Sequence, residues 1–239
     1  MTSPPPAALP AFLTKQEDVA VAGVADLVMR SLLDRQQFCD PLGEAARQGI
    51  SSAAWPLFGL LWPSGAQLAA RIAVRGLVDG ERLLEVGCGL ALASLIGHRR
   101  GSDVTASDCH PLAAAFLAEN LRLNALAPMK YRHGHWDGTL PDADRVPAPA
   151  VLEGRFDLIF GSDLLYDRDA SVALAGFVER HAAARAEVWI VDPDRSNRAA
   201  FSRLMRAQGF TVVEERLDQV ALGAVPAYKG RLLTYRRGY

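Results

Sequence analysis

Cysteine is scarce in this 239-residue chain: Cys39, Cys88 and Cys109 are the three, with no Cys-x-x-Cys spacing among them. So odd and scattered a set gives neither a disulfide framework nor a zinc site, and reads as the reduced thiols of a cytoplasmic protein. An excess of one charge is missing too. The formal net charge is -1, so no global field selects nucleic acid or a membrane. No apolar run reads as long enough to span a bilayer. The opening MTSPPPAALPAFL lacks the basic n-region of a secretory leader and is too rich in proline for its helix, so residues 1–15 are expected to be a disordered arm. Lysine is confined to Lys15, Lys130 and Lys229 amid abundant arginine and alanine, a bias expected of a GC-rich bacterial genome rather than of a function. No basic stretch is interleaved with aromatics, which argues against a nucleic-acid platform.

What is present is an ordinary enzyme composition, 50% hydrophobic and 22% charged, in a length that suits one α/β domain with a modest extension. The chain is organised around RLLEVGCGLALASLIGHRRGSDVTASD, from Arg82 to Asp108. Leu83, Leu84 and Val86 make an apolar run that suits a strand buried on both faces. Gly87-Cys88-Gly89 follows, then a helix expected over Leu90 to Gly97, then a strand ending on Asp108. Strand, glycine turn, helix, strand and terminal acid form half of a nucleotide-binding βαβ unit. The glycines allow a tight turn whose backbone N–H groups approach a ligand, and a carboxylate there can accept from both hydroxyls of a ribose. A dinucleotide fingerprint would place Gly or Ala three residues beyond Gly89, where this chain has Leu92.

Around this core, residues 16–62 read as an N-terminal extension covering part of the site, with residues 18–33 open between helix and hairpin. Residues 38–62, dense in Gly, Pro and aromatics, read as a functional loop. Ser64 suits the N-cap of a helix over Gly65–Val74. Strands are expected at 130–132, 156–160, 188–191, 210–213 and 232–235, with helices at 111–124, 172–181 and 199–208, and a Pro/Ala-rich excursion at 142–154. The alternation implies an α/β fold with a mostly parallel sheet. The strand ends then converge on Gly87–Gly89, Asp108, Trp136-Asp137, Asp163–Tyr166 and Asp192. His133 and His135 have no third metal ligand at recognisable spacing, so no metal is expected. His110 could border a nucleoside. Asp192 and Asp194 are expected to cap the next helix.

The E-x-G-x-G of Glu85, Gly87 and Gly89 resembles the first motif of class I S-adenosylmethionine-dependent methyltransferases. Asp163-Leu-Leu-Tyr166 looks like the D-x-x-Y of methyltransferase family 16, and the Trp62-Pro-Ser segment and the Asn120/Asn124 helix end are similar to that branch. DPLGEA and Trp55–Gly65 look most like bacterial relatives of the electron-transfer-flavoprotein β-subunit lysine methyltransferases. The resemblance implies a Rossmann-like seven-stranded mostly parallel sheet, residues 63–239, with helices on both faces and the last strand antiparallel. It places Trp62, Glu85, Gly87, Cys88, Gly89, Asp108, Cys109, Trp136 and Ser162 about S-adenosyl-L-methionine. It makes Asp163 and Tyr166 the catalytic pair, acting on a lysine side chain of a partner protein. The ordinary alternative is that Asp163 caps the next segment and Tyr166 is core. The rivals for function are a small-molecule N-methyltransferase and a cofactor-binding protein without catalysis.

Overall fold

The computed structural model describes residues 12–141, 149–221 and 227–239, so residues 1–11 of the expected arm and 142–148 of the excursion lie outside the described residues. The segment left open is a hairpin: β1 (Thr14–Val19) pairs antiparallel with β2 (Leu27–Leu32), so Thr14 and Lys15 are strand rather than arm. Gly23, at φ 88°, lies in the connection, a backbone conformation that glycine adopts without strain. Leu27 and Met29 are fully buried, with Val28 between them and Arg30 after them less so, the period of two that seats one face of a strand.

A short helix α1 (Glu44–Arg47) and a 3₁₀ turn (Trp55–Gly59) lead into α2 (Pro63–Val74). The stretch Trp55–Val74 does reach spanning length and apolarity, contrary to the expectation. The fold divides it, because Leu60 and Trp62 are extended between the 3₁₀ turn and α2. Leu68, Ala69 and Ile72 then bury one face of α2. Trp62, not Ser64, is the N-cap, with Pro63 in the first turn where its missing N–H costs nothing.

The sheet is built from β3 (Arg82–Val86), β4 (Asp103–Asp108), β5 (Lys130–His133), β6 (Phe156–Ser162), β7 (Ala182–Asp192), β8 (Thr211–Arg216) and β9 (Arg231–Arg237), in the order β5-β4-β3-β6-β7-β9-β8. The pairs among β3 to β7 are parallel, and β9 runs antiparallel between β7 and β8. The helices of the sheet are α3 (Leu92–Arg99), α4 (Ala113–Leu123), α5 (Arg168–His181) and α6 (Arg198–Ala207). Two apolar clusters flank the sheet. The hairpin, the 3₁₀ turn, α2, α3 and α4 pack with Leu83, Val104 and Phe160, while α5 and α6 pack with Leu84, Val86, Ile159 and Val188. Burial on both faces explains why β3 and β6 read as continuous apolar runs. From β3 the chain builds outward through β4 and β5, then returns to β6, so the order reverses between β3 and β6. Ligands of open α/β sheets bind beyond the carboxyl ends at such a reversal.

Candidate functional site

Beyond β3 the chain turns through Gly87 (φ 57°) and Gly89 (φ 51°) into α3, whose N-cap is Ala91, itself left-handed at φ 58°. A Cβ built on Gly89 would lie 2.7 Å from Phe58 O, so the 3₁₀ turn lies directly against the glycine turn. A Cβ on Gly87 would lie 2.8 Å from Leu164 Cδ2 and 3.3 Å from the Trp136 ring. Glycine is therefore required here by close approach on two sides.

The turn's N–H groups, expected to approach a ligand, are already used: Cys88 N–H donates to Ser107 O at 3.0 Å, and Gly89 N–H to Asp108 Oδ2 at 2.8 Å. Asp108, ending β4, also accepts from His110 N–H through Oδ1 at 2.8 Å. Burial raises its carboxyl, against which the His110 and Gly89 N–H groups favour the charged form. The Cys109 N–H acts in the same direction, and since a carboxylate accepts at about four positions, about one acceptor site remains after these bonds. Glu85 has a different first partner. Its Oε2 accepts from Ser94 N–H at 2.8 Å, in the first turn of α3, which has no side-chain N-cap of its own. Buried there, its carboxyl is pushed up to about 7 by desolvation.

Cys88 is buried and Cys109 half-buried, and burial raises both thiols, which makes them poor nucleophiles. His110 is buried with its ring stacked on Phe58, centroids 3.6 Å apart and 12° between planes. Trp62 is 37% exposed and donates Nε1–H to Leu57 O at 2.9 Å. Ser162 ends β6 under the start of α2, where a Cβ on Gly65 would lie 3.6 Å from its Oγ.

The D-x-x-Y segment follows the carboxyl end of β6. Leu164 and Leu165 are buried anchors, while Tyr166 is 60% exposed and faces Trp136 with ring centroids 6.2 Å apart. Asp167, not Asp163, caps α5, accepting from Ala170 N–H at 2.7 Å. Neither ordinary alternative, Asp163 as helix cap or Tyr166 as core, describes this geometry. Asp163 stands at φ 62°, left-handed for a residue with a Cβ, and its N–H donates to Val191 O at 3.0 Å. Asp and Asn tolerate that region best, yet it remains strained. Burial raises its carboxyl, opposed by the Ser64 hydroxyl and then by the Arg195 guanidinium.

Asp192 and Asp194 do not cap α6, whose N-cap is Asn197. Asp192 accepts from Arg195 N–H at 2.6 Å, holding the turn after β7, and Asp194 pairs with Arg198, Arg216 and Arg231. Sequence reasoning missed Arg195, Tyr228 and the Phe58 carbonyl, and misassigned Ser64, whose hydroxyl meets Tyr228 OH at 3.0 Å. Those links join residues far apart in the chain, and no local spacing announces them. Beside the site, the loop after β5 and the last turn of α5 enclose a cavity of about 220 Å³ lined in part by His133, His135, Arg180 and His181.

No protein-family model matches the chain. It is 26% identical over 167 residues to the electron transfer flavoprotein beta subunit lysine methyltransferase of Mus musculus, covering 69% of this chain and 60% of that protein. The protein of the same name from Danio rerio is 27% identical over 144 residues, 59% of this chain and 51% of its own. The chain thus spans about half the length of the curated relatives it matches. Among solved structures, the ribosomal protein L11 methylase of Lactobacillus delbrueckii superposes with a TM-score of 0.55 at 18% identity, over 75% of this chain and 81% of that one. Magnesium protoporphyrin IX methyltransferase of Synechocystis with bound SAM gives 0.54 at 15%, over 73% and 78%. The fold is that of the class I S-adenosylmethionine-dependent methyltransferases.

Proposed function

We propose that this chain is an S-adenosylmethionine-dependent methyltransferase whose acceptor is a lysine side chain of a partner protein. The observation that carries the reading is a convergence of residues at the sheet's reversal. There a buried Asp108 with acceptor capacity to spare, a glycine turn that excludes Cβ atoms, and the Asp163/Tyr166 pair stand on neighbouring strand ends. The residues fit the cofactor. Asp108 would take the ribose hydroxyls, and Trp136 would border the adenosine beside Gly87. When bound, the cofactor supplies an electrophilic methyl group on a sulfonium centre.

The chain's own task is alignment and charge. Asp163 carries a carboxylate that can hold an incoming ammonium. Tyr166 and Trp136 present aromatic walls suited to an aliphatic stem and a cation. Their ring centroids lie 6.2 Å apart. The amine must lose a proton before it attacks, and water can take it, so no general base is assigned. The lysine acceptor is supported by the mouse and zebrafish relatives, which bear that activity in their names.

The test is transfer of a radioactive methyl group. Purified protein is incubated with labelled S-adenosylmethionine and a lysate of its host lacking the gene, beside an Asp163→Ala control. A discrete labelled protein band, absent with the control and mapping to lysine, is the expected result. Label confined to small molecules would move the acceptor to a free amine or ring nitrogen. Cofactor binding without label in any fraction would leave a binding protein.

A further inference from the structure

Arg195 is bound to Asp163 in a way the sequence did not show. Its Nη1 donates to the Asp163 carbonyl at 2.5 Å and its Nη2 lies 3.0 Å from Asp163 Oδ1, while its own backbone N–H is fixed by Asp192 Oδ1 at 2.6 Å. One planar guanidinium thus holds a residue by main chain and side chain together, a fork that a lysine ammonium cannot reproduce. The residue so held is the one at φ 62°, whose strain requires such over-determination. Asp163 Oδ2 and Asp192 Oδ2 are both buried and accept no hydrogen bond of normal geometry among the described residues, the Ser64 hydroxyl near Asp163 being engaged with Tyr228 OH at 3.0 Å.

The local charge is also incomplete. The Arg195 guanidinium pairs with Asp163, while Asp192 is held by the Arg195 backbone N–H and has no ion pair of its own among the described residues, and the neighbouring Ser64 and Tyr228 hydroxyls bring no charge. A buried carboxylate oxygen without a partner is costly, and a single cation with N–H donors would complete it. We propose that Arg195 is a positioning residue for acceptor recognition, clamping Asp163 so that Oδ2 is left as the binding point for one alkylammonium. The proposal rests on the methyltransferase reading and narrows its acceptor to a primary amine that arrives charged. Asp192 acts one step further out, by anchoring the turn that carries Arg195.

The test needs no knowledge of the acceptor. Sinefungin is an S-adenosylmethionine analogue with a primary amine where the methylsulfonium would be, whereas S-adenosylhomocysteine has the same nucleoside and amino-acid parts without a charge there. Calorimetry with both ligands is run on the unaltered protein, Arg195→Gln and Arg195→Lys. The expected result is that Arg195→Gln lowers sinefungin affinity about tenfold, one ion-pair's worth, with S-adenosylhomocysteine affinity unchanged, and that Arg195→Lys falls between. Should Arg195→Gln not fold, Arg195→Lys carries the test, with a loss of about threefold confined to sinefungin. Equal loss for both ligands would make Arg195 a purely structural residue and overturn the proposal, as would no loss for either. If the unaltered protein fails to bind S-adenosylhomocysteine at all, the methyltransferase reading itself falls, an outcome separate from a failure of ligand discrimination.

Discussion

Glu85 and Asp108 are buried carboxylates on either side of one glycine turn, and their partners set them different tasks. Asp108 accepts from the Gly89, His110 and Cys109 N–H groups and keeps about one acceptor position in reserve. Glu85 has one N–H bond, to the first turn of α3, and its carboxyl rises to about 7. A group that binds its proton more tightly when folded weakens folding as pH climbs from its unfolded to its folded pKa. Stability is therefore expected to fall between about pH 4.5 and pH 7 on account of Glu85, and to level off above. The shift from 4.5 to about 7 corresponds to at most about 3 kcal/mol. Glu85→Gln keeps an acceptor for Ser94 N–H without the charge. Thermal melts should show it matching the unaltered protein near pH 5 and exceeding it near pH 8. A constant offset across that range would rule the account out. Asp108→Asn makes the contrasting case. Its amide must turn an NH₂ toward at least one of these N–H donors, so S-adenosylhomocysteine affinity measured by calorimetry is expected to drop at least about tenfold.

At the scale of elements, the two glycines of the turn should not be equally replaceable. Both have positive φ, but the obstacle differs. At Gly89 a new Cβ meets a backbone carbonyl, Phe58 O, at 2.7 Å, and at Gly87 it meets the far end of Leu164 at 2.8 Å. A side-chain methyl can swing aside, whereas the Phe58 carbonyl belongs to a turn pinned by the buried Trp55 and the Phe58–His110 stack. Gly89→Ala is expected to lower the melting temperature more than Gly87→Ala, the difference being about 1–3 kcal/mol of strain. The hairpin is held by a comparable match of geometries. Asn120 Oδ1 accepts from Arg30 N–H at 2.7 Å, and Asn124 Oδ1 accepts from Val28 N–H at 2.9 Å while its Nδ2 donates to Val28 O at 2.7 Å. Four helical residues rise about 6 Å and two strand residues about 6.7 Å, so a pair of helical amides can stand in for a neighbouring strand. Hydrogen exchange should show Val28 and Arg30 losing protection together in Asn124→Ala, with the β3–β6 amides unaffected.

Across the whole molecule, the legible parts are those whose signal is local. The run Leu83–Val86, the glycine turn and the acid at Asp108 carry their own periodicity and spacing, and the parallel core follows from alternation. The hairpin was ambiguous because β1 is largely exposed and β2 is buried against α4, a partner some ninety residues away. Ser64 looked like a helix cap because serine before an apolar run usually is one, but Pro63 had already begun the helix and the hydroxyl found Tyr228. Arg195 was invisible for the same reason, since the strand order places the turn after β7 beside the end of β6. These long-range meetings bring the ends of β3, β4, β6 and β7 together, so a ligand there should stabilise the fold as a unit. At one hundred times its dissociation constant, S-adenosylhomocysteine is expected to add about 2.7 kcal/mol. For a domain of this size that is a rise of about 5–10 °C in melting temperature. NAD should give none, because Leu92 stands where a dinucleotide turn needs a small residue. Equal shifts with both ligands, or a shift with NAD alone, would detach the cofactor assignment from the geometry of this turn.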